Sequence, residues 1–168
     1  MRDKERHRNS SGPKGELASR TLAMPADSNP KGDIFGGWIM ALMDAAGKMT
    51  ATPYAGGRVV TVAVSNITFL APVHVGDTVC CYTEATRLGR TSITLDVEVW
   101  VLRQGQGQRI RVTEAEFTFV AIDEDGRPRD LPPTVKKRRP ARRASGSVDP
   151  NLLFAAPLPS VRRARTPT

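Results

Sequence analysis

The stretch Phe35-Gly36-Gly37-Trp38-Ile39-Met40-Ala41-Leu42-Met43-Asp44-Ala45-Ala46-Gly47-Lys48-Met49-Thr50-Ala51-Thr52 decides the architecture. Its apolar positions Ile39, Leu42, Met43, Ala46 and Met49 recur at helical spacing, which predicts one long helix from Phe35 to about Thr52. Before it, Asp27 to Asp33 is loop chemistry, with Asp, Ser, Asn, Pro and Gly in quick succession. After it, Pro53 and the Gly56-Gly57 pair are expected to end the helix. A carboxylate two turns inside an apolar helix costs desolvation unless something satisfies or uses it, so Asp44 is the first candidate for chemistry.

Outward from the helix, the chain reads as strand. Leu17 to Met24 suits a short edge strand ending at Pro25, and Arg58 to Leu70 alternates through Val60, Val62 and Val64 up to Pro72. Asp77 to Leu88 follows a Gly76-Asp77 turn. Thr91 to Leu102 is the cleanest period-two run, with Ile93, Leu95, Val97, Val99 and Val101 opposite Ser92, Thr94, Asp96 and Glu98. Ile110 to Ile122 is the last strand, closed by Asp123-Glu124-Asp125-Gly126. One long helix followed by four strands in hairpin order implies an α+β domain, an antiparallel sheet packed on a single helix.

The 168 residues suit one domain with room for a core and for extended ends. The net charge of +8 is unevenly spread: residues 135–168 carry nine Lys/Arg against the single acid Asp149. Residues 17–133 hold eleven basic against thirteen acidic side chains, so the globular part is mildly acidic. The run Lys136-Lys137-Arg138-Arg139-Pro140-Ala141-Arg142-Arg143 cannot bury enough apolar surface to offset its ordering entropy. Disorder is therefore expected for the tail, 134–168, and for the polar lead, 1–14. A weak electrostatic hold of the tail on nucleic acid or an anionic surface is the other reading. No apolar run reaches membrane-span length, and the charged N-terminus lacks the apolar core of a secretory signal, so a cytoplasmic location is expected.

Several chemistries find no support. His7 lies in the polar lead and His74 near a turn, so no histidine stands ready as a general base. The adjacent Cys80 and Cys81 point to opposite faces of a strand, which suggests neither a disulfide nor a metal site. There is no Gly-x-Ser-x-Gly elbow, no Walker loop and no Gly-x-Gly-x-x-Gly fingerprint. No metal or cofactor is expected. What remains is acid–base or nucleophilic work by a carboxylate. Asp44 can be that group, or a solvent-facing helical acid in a salt bridge. Asp33 is placed to favour the helix dipole. Asn29, in Ser28-Asn29-Pro30, can simply form a turn. Gly36 and Gly37 can serve tight entry into the helix, or leave amides free to hold an oxyanion.

Arg20-Thr21-Leu22-Ala23-Met24-Pro25-Ala26-Asp27, Asn29, Gly32-Asp33-Ile34-Phe35-Gly36-Gly37-Trp38 and Met43-Asp44 resemble the hotdog-fold acyl-CoA thioesterases of the bacterial YciA type. Gly57-Arg58-Val59-Val60-Thr61-Val62, Val75-Gly76-Asp77 and Glu98-Val99-Trp100-Val101 extend the resemblance, which spans roughly residues 15–133. It implies a hotdog fold of about five to six strands around one helix, a dimer at least, and commonly a hexamer built as a trimer of dimers. It also implies Asp44 as the catalytic acid, acting as general base or nucleophile, and Asn29 as its partner from the opposite subunit. Coenzyme A would then be part of the substrate, and its phosphates call for arginine and hydroxyl donors. The Arg87-Leu88-Gly89-Arg90-Thr91-Ser92 hairpin is the best-stocked place, with Arg58 second. A non-catalytic acyl-CoA sensor holding nucleic acid through its tail is the rival class, and a hotdog dehydratase a weaker third because no histidine is placed for it.

Overall fold

A computed structural model describes residues 12–105 and 107–133. The basic tail and residues 1–11 of the lead lie outside that range. Strand β1 (Glu16–Leu22) is followed by a single 3-10 turn at Pro25–Asp27 and then helix α1 (Gly36–Ala55). Four more strands complete the domain: β2 (Val59–Phe69), β3 (Thr78–Leu88), β4 (Ser92–Leu102) and β5 (Arg109–Ala121). They form one antiparallel sheet in the order β1-β3-β4-β5-β2, curled around α1. This is the expected α+β arrangement, one helix against one five-stranded sheet.

Strands β3, β4 and β5 form the expected meander, but β2 does not pair with β3. It pairs with β5 instead, at the far edge of the sheet from β1. The link Leu70–Asp77 is too long for a hairpin turn, and its start is committed elsewhere: the amides of Leu70 and Ala71 both donate to Val112 O on β5. Val73 O then accepts the Ile34 amide, so the crossover runs against the entry to the helix. Asp77 finishes the link. Its carboxylate accepts the His74 amide at 2.9 Å and the Arg103 guanidinium at 3.0 and 3.2 Å. Arg103 also donates to Pro72 O at 3.0 Å.

The helix departs from expectation at two places. Pro53 lies inside α1 rather than ending it. Near a C-terminus a proline forfeits only one intrahelical N–H, here toward Met49 O, and the turn survives that loss. Gly56 makes the stop, in the left-handed region with φ 63°, and donates to Thr52 O. The buried stripe is Ile39, Met43, Ala46, Gly47, Ala51 and Ala55, while Met49 is exposed. Gly47 belongs to the stripe because a Cβ there would stand 2.7 Å from Phe119 Cζ. The small residues after Asp44 therefore make room for the protein's own sheet, with only Ala45 left facing out.

Alternation along β4 holds over its length. Ile93, Leu95, Val97, Val99 and Val101 are fully buried against the helix side. Burying a Val, Leu or Ile side chain stabilises by about 1.5–3 kcal/mol, so this strand anchors the core. Its other face carries Trp100, which packs with Cys80 and Tyr82 and donates from Nε1 to Glu98 at 2.9 Å. Glu98 also accepts the Lys14 amide and pairs with Arg111 at 3.3 Å. Further along that face, Glu84, Asp96 and Glu116 stand directly opposite one another on β3, β4 and β5.

Candidate active site

Asp44 lies on the flank of α1 that turns toward β2, partly exposed. Its carboxylate accepts a hydrogen bond from the hydroxyl of Thr61, the third residue of β2. Thr61 was not singled out by sequence reasoning. The available signal was a hydroxyl residue between Val60 and Val62, turned to the helix side in the strand that follows α1. An acid on an exposed helix flank, oriented by a hydroxyl on the neighbouring strand, is arranged to take a proton or to attack.

The loop before the helix is rigidly knitted. Asn29 Oδ1 accepts the amides of Lys31 at 2.9 Å and Asp33 at 3.2 Å, and Asn29 N donates to Asp33 O at 2.7 Å. The side-chain oxygen is thus spent on the turn, and only the Asn29 amide nitrogen is left to reach outward. Asp33 faces His74, with Asp33 Oδ1 3.6 Å from Nε2, which ties the loop to the β2–β3 crossover. At the first turn, Trp38 and Ile39 donate to Phe35 O. Among the described residues, the Gly36 and Gly37 amides take no such acceptor. They are the orphan donors of a helix N-terminus, aimed along the positive end of its dipole.

These groups do not converge within one chain. Gly36 and Asp44 are eight residues apart on one helix, about 12 Å along its axis. No single carbonyl carbon can meet the Asp44 carboxylate and those amides together. The arginine hairpin is farther still. Arg90 O accepts the Leu131 amide, Pro132 packs on Gly56, and Arg129 donates to Ala55 O, so this end of the sheet sits at the C-terminus of α1. A 20-residue helix separates it from Gly36 by about 30 Å. Within the hairpin, Arg90 pairs with Asp130 at 2.7 Å and Arg87 reaches Thr94. Gly89 N donates to Ser92 O, and Thr91 O accepts from Ala121. Arg58 is exposed beside them.

Strand β2 is an edge with Val60, Val62 and Val64 exposed, and Met40 on the helix is exposed too. An unpaired edge bearing apolar side chains is a template for another chain. Asp44 and Thr61 lie on the same flank. By contrast both thiols are buried, and burial pushes Cys81 up to about 11, which keeps that thiol protonated at neutral pH.

Next to the first turn of α1 lies an apolar cavity of about 420 Å³. Gly36, Ile34, Ile39, Phe69, Leu70, Ala71 and Val73 are among the residues that line it. The tip of the Phe69 ring closes on Gly36, where a Cβ would stand 3.3 Å from Phe69 Cζ. Among the described residues no helix is long and apolar enough to cross a membrane.

Comparison with known proteins agrees with this geometry. Residues 31–108 match the thioesterase superfamily. The acyl-CoA thioester hydrolase YciA of Salmonella typhimurium is 56% identical over 123 residues, covering 71% of this chain and 92% of the relative. A hexameric thioesterase from Yersinia pestis superimposes with a TM-score of 0.69 at 58% identity, over 71% of this chain and 98% of that one. An acyl-CoA hydrolase from Staphylococcus aureus, solved with butyryl coenzyme A, aligns with a TM-score of 0.64 at 28% identity, over 68% and 70% of the two chains. That enzyme has also been solved as an asparagine-to-alanine and as an aspartate-to-alanine mutant. The chain belongs to the hotdog-fold thioesterase superfamily, among the bacterial acyl-CoA thioester hydrolases of the YciA type.

Proposed function

We propose that this protein hydrolyses acyl-CoA thioesters to a free carboxylic acid and coenzyme A, at sites shared between two copies of the chain. The observation that carries the reading is the split of its chemistry. Asp44 with Thr61 marks one half-site, and the free amides of Gly36 and Gly37, with Asn29 nearby, mark the other. The exposed β2 edge beside Asp44 is where a second copy adds on. Asp44 then faces the helix N-terminus and Asn29 of the partner, and two equivalent sites form per dimer. The hexameric relative supports further assembly as a trimer of dimers.

The chemistry is coherent. Asp44 takes a proton from water, whose oxygen attacks the thioester carbonyl. Alternatively the carboxylate attacks directly, and water cleaves the resulting anhydride. Oxyanion charge falls on the Gly36 and Gly37 amides, where one good donor is worth about 10²–10³ in rate. The asparagine amide nitrogen positions the water or the thioester. Coenzyme A leaves as a thiolate, and an ordinary thiol has a pKa of ~8.5, far below an alcohol's, so no histidine acid is required. Its phosphates lie along the Arg87–Ser92 hairpin and Arg58, at the far end of the helix. That the Staphylococcus aureus relative was altered at one asparagine and one aspartate is in keeping with this pair of roles. Catalysis falls to residues 15–133, the tail takes no part in it, and the protein works in the cytoplasm.

The test is thiol release from a panel of acyl-CoAs by the full chain and by Asp44→Ala, with oligomer size measured for both. Turnover that disappears in the variant while the assembly persists is the expected outcome. Undiminished hydrolysis by Asp44→Ala would refute the role of the carboxylate.

A further inference from the structure

We propose that the apolar cavity between the first turn of α1 and the end of β2 receives the substrate's acyl chain, with Phe69 as its specificity-determining side chain. This rests on the acyl-CoA reading above and adds what the acyl group must be. Three observations carry it. The cavity is lined in part by Gly36, one of the two residues whose free amides are placed for the carbonyl oxygen, so a chain attached to that carbonyl lies beside it. About 420 Å³ lies within the ~300–1,000 Å³ of small-ligand sites. The residues around it bear no charged or hydroxyl side chain, and Ile34, Ile39 and Val73 make a buried floor.

Such a lining favours a hydrocarbon chain. An acyl group ending in a carboxylate would strand that charge without a partner, which is strongly unfavourable in an apolar site. Phe69 differs from the floor residues because it is half exposed, with its ring tip against the bare Cα side of Gly36. It can be shortened without opening the core. Ala71, half-buried and also lining the cavity, is pinned to Val112 O through its backbone, so a larger side chain there takes up part of the space. The two positions therefore adjust the cavity in opposite senses.

The experiment measures kcat/KM of the full chain for butyryl-, octanoyl-, dodecanoyl- and glutaryl-CoA in wild type, Phe69→Ala and Ala71→Leu, with oligomer size checked for each. Wild type is expected to prefer butyryl- over glutaryl-CoA by at least tenfold. Phe69→Ala should raise the dodecanoyl-to-butyryl ratio, and Ala71→Leu should lower it. A buried methylene is worth ~0.8 kcal/mol, about fourfold, so a change of two or more methylenes in usable depth moves the ratio about tenfold. Ratios unchanged in both variants, with wild-type hydrolysis intact, would overturn the acyl-chain assignment alone. The same holds if Phe69→Ala dissociates the oligomer without altering the ratios, since the cavity would then seat a neighbouring subunit. No thiol release by wild type from any acyl-CoA would overturn the underlying reading instead.

Discussion

Replacing Asp77 by alanine should cost far more than its position in a loop suggests. The carboxylate is 3% exposed and accepts three hydrogen bonds, one from the His74 amide and two from Arg103. That hydrogen bonding holds the Arg103 guanidinium above its usual pKa. Removing one partner of a buried pair costs about 3–5 kcal/mol, because the other is left desolvated. Arg103 retains 21% exposure and can recover some hydration, which places Asp77→Ala near the lower end, about 3 kcal/mol. For a domain of this size that lowers Tm by roughly 10 °C. Asp77→Asn keeps an acceptor for the His74 amide but loses the charge, so about half the effect is expected. A double-mutant cycle with Arg103→Met isolates the pair, with a coupling of about 1–3 kcal/mol. Urea unfolding at fixed protomer concentration is the assay, since assembly makes stability concentration-dependent. The crossover also forms one wall of the cavity, so KM for acyl-CoA should rise in Asp77→Ala. A loss below about 0.5 kcal/mol, or effects of the two residues that simply add, would refute the reasoning.

On the outer face of the sheet, Asp96 is held above the ordinary carboxylate range by burial first and by Glu116 next, with Glu84 and Glu98 adding and Lys14 opposing. The folded state therefore binds this proton more tightly than the unfolded chain does. Ionised Asp96 destabilises the fold at neutral pH, and the penalty fades as pH falls through its raised value. Asp96→Asn should raise Tm at neutral pH, with a gain that shrinks on acidification. A gain that grows toward acid pH would contradict this sign.

Much of the fold was legible because local chemistry and tertiary packing agree. Ile93 to Val101 alternate in sequence and are buried on one face, and the helix from Gly36 follows from its apolar period. What escaped was set by partners distant in the chain. β2 pairs with β5 because Leu70 and Ala71 are captured by Val112, which no pattern within Arg58 to Leu70 announces. Gly47 is small because Phe119, 72 residues later, occupies the space beside it. Pro53 was read as a stop because proline usually is one, yet the C-terminal turn tolerates it. Of the candidate site, Asp44 stood out as an acid in an apolar helix, whereas Thr61 is defined only by the strand that carries it past that acid. Asn29 was legible as a residue type, but its oxygen proved to be engaged in the loop.

The most direct test of a site shared between two chains is complementation between inactive variants. Asn29→Ala and Asp44→Ala, each prepared alone, should be nearly inactive toward acyl-CoA. Co-expressed with distinct affinity tags and purified through both, mixed dimers carry one site with neither residue and one site with both. Random pairing makes half of all dimers mixed, so about a quarter of wild-type activity should return in the unfractionated population. Mixed assemblies that form but stay as inactive as their parents would contradict the account, because Asn29 and Asp44 would then have to serve the same chain.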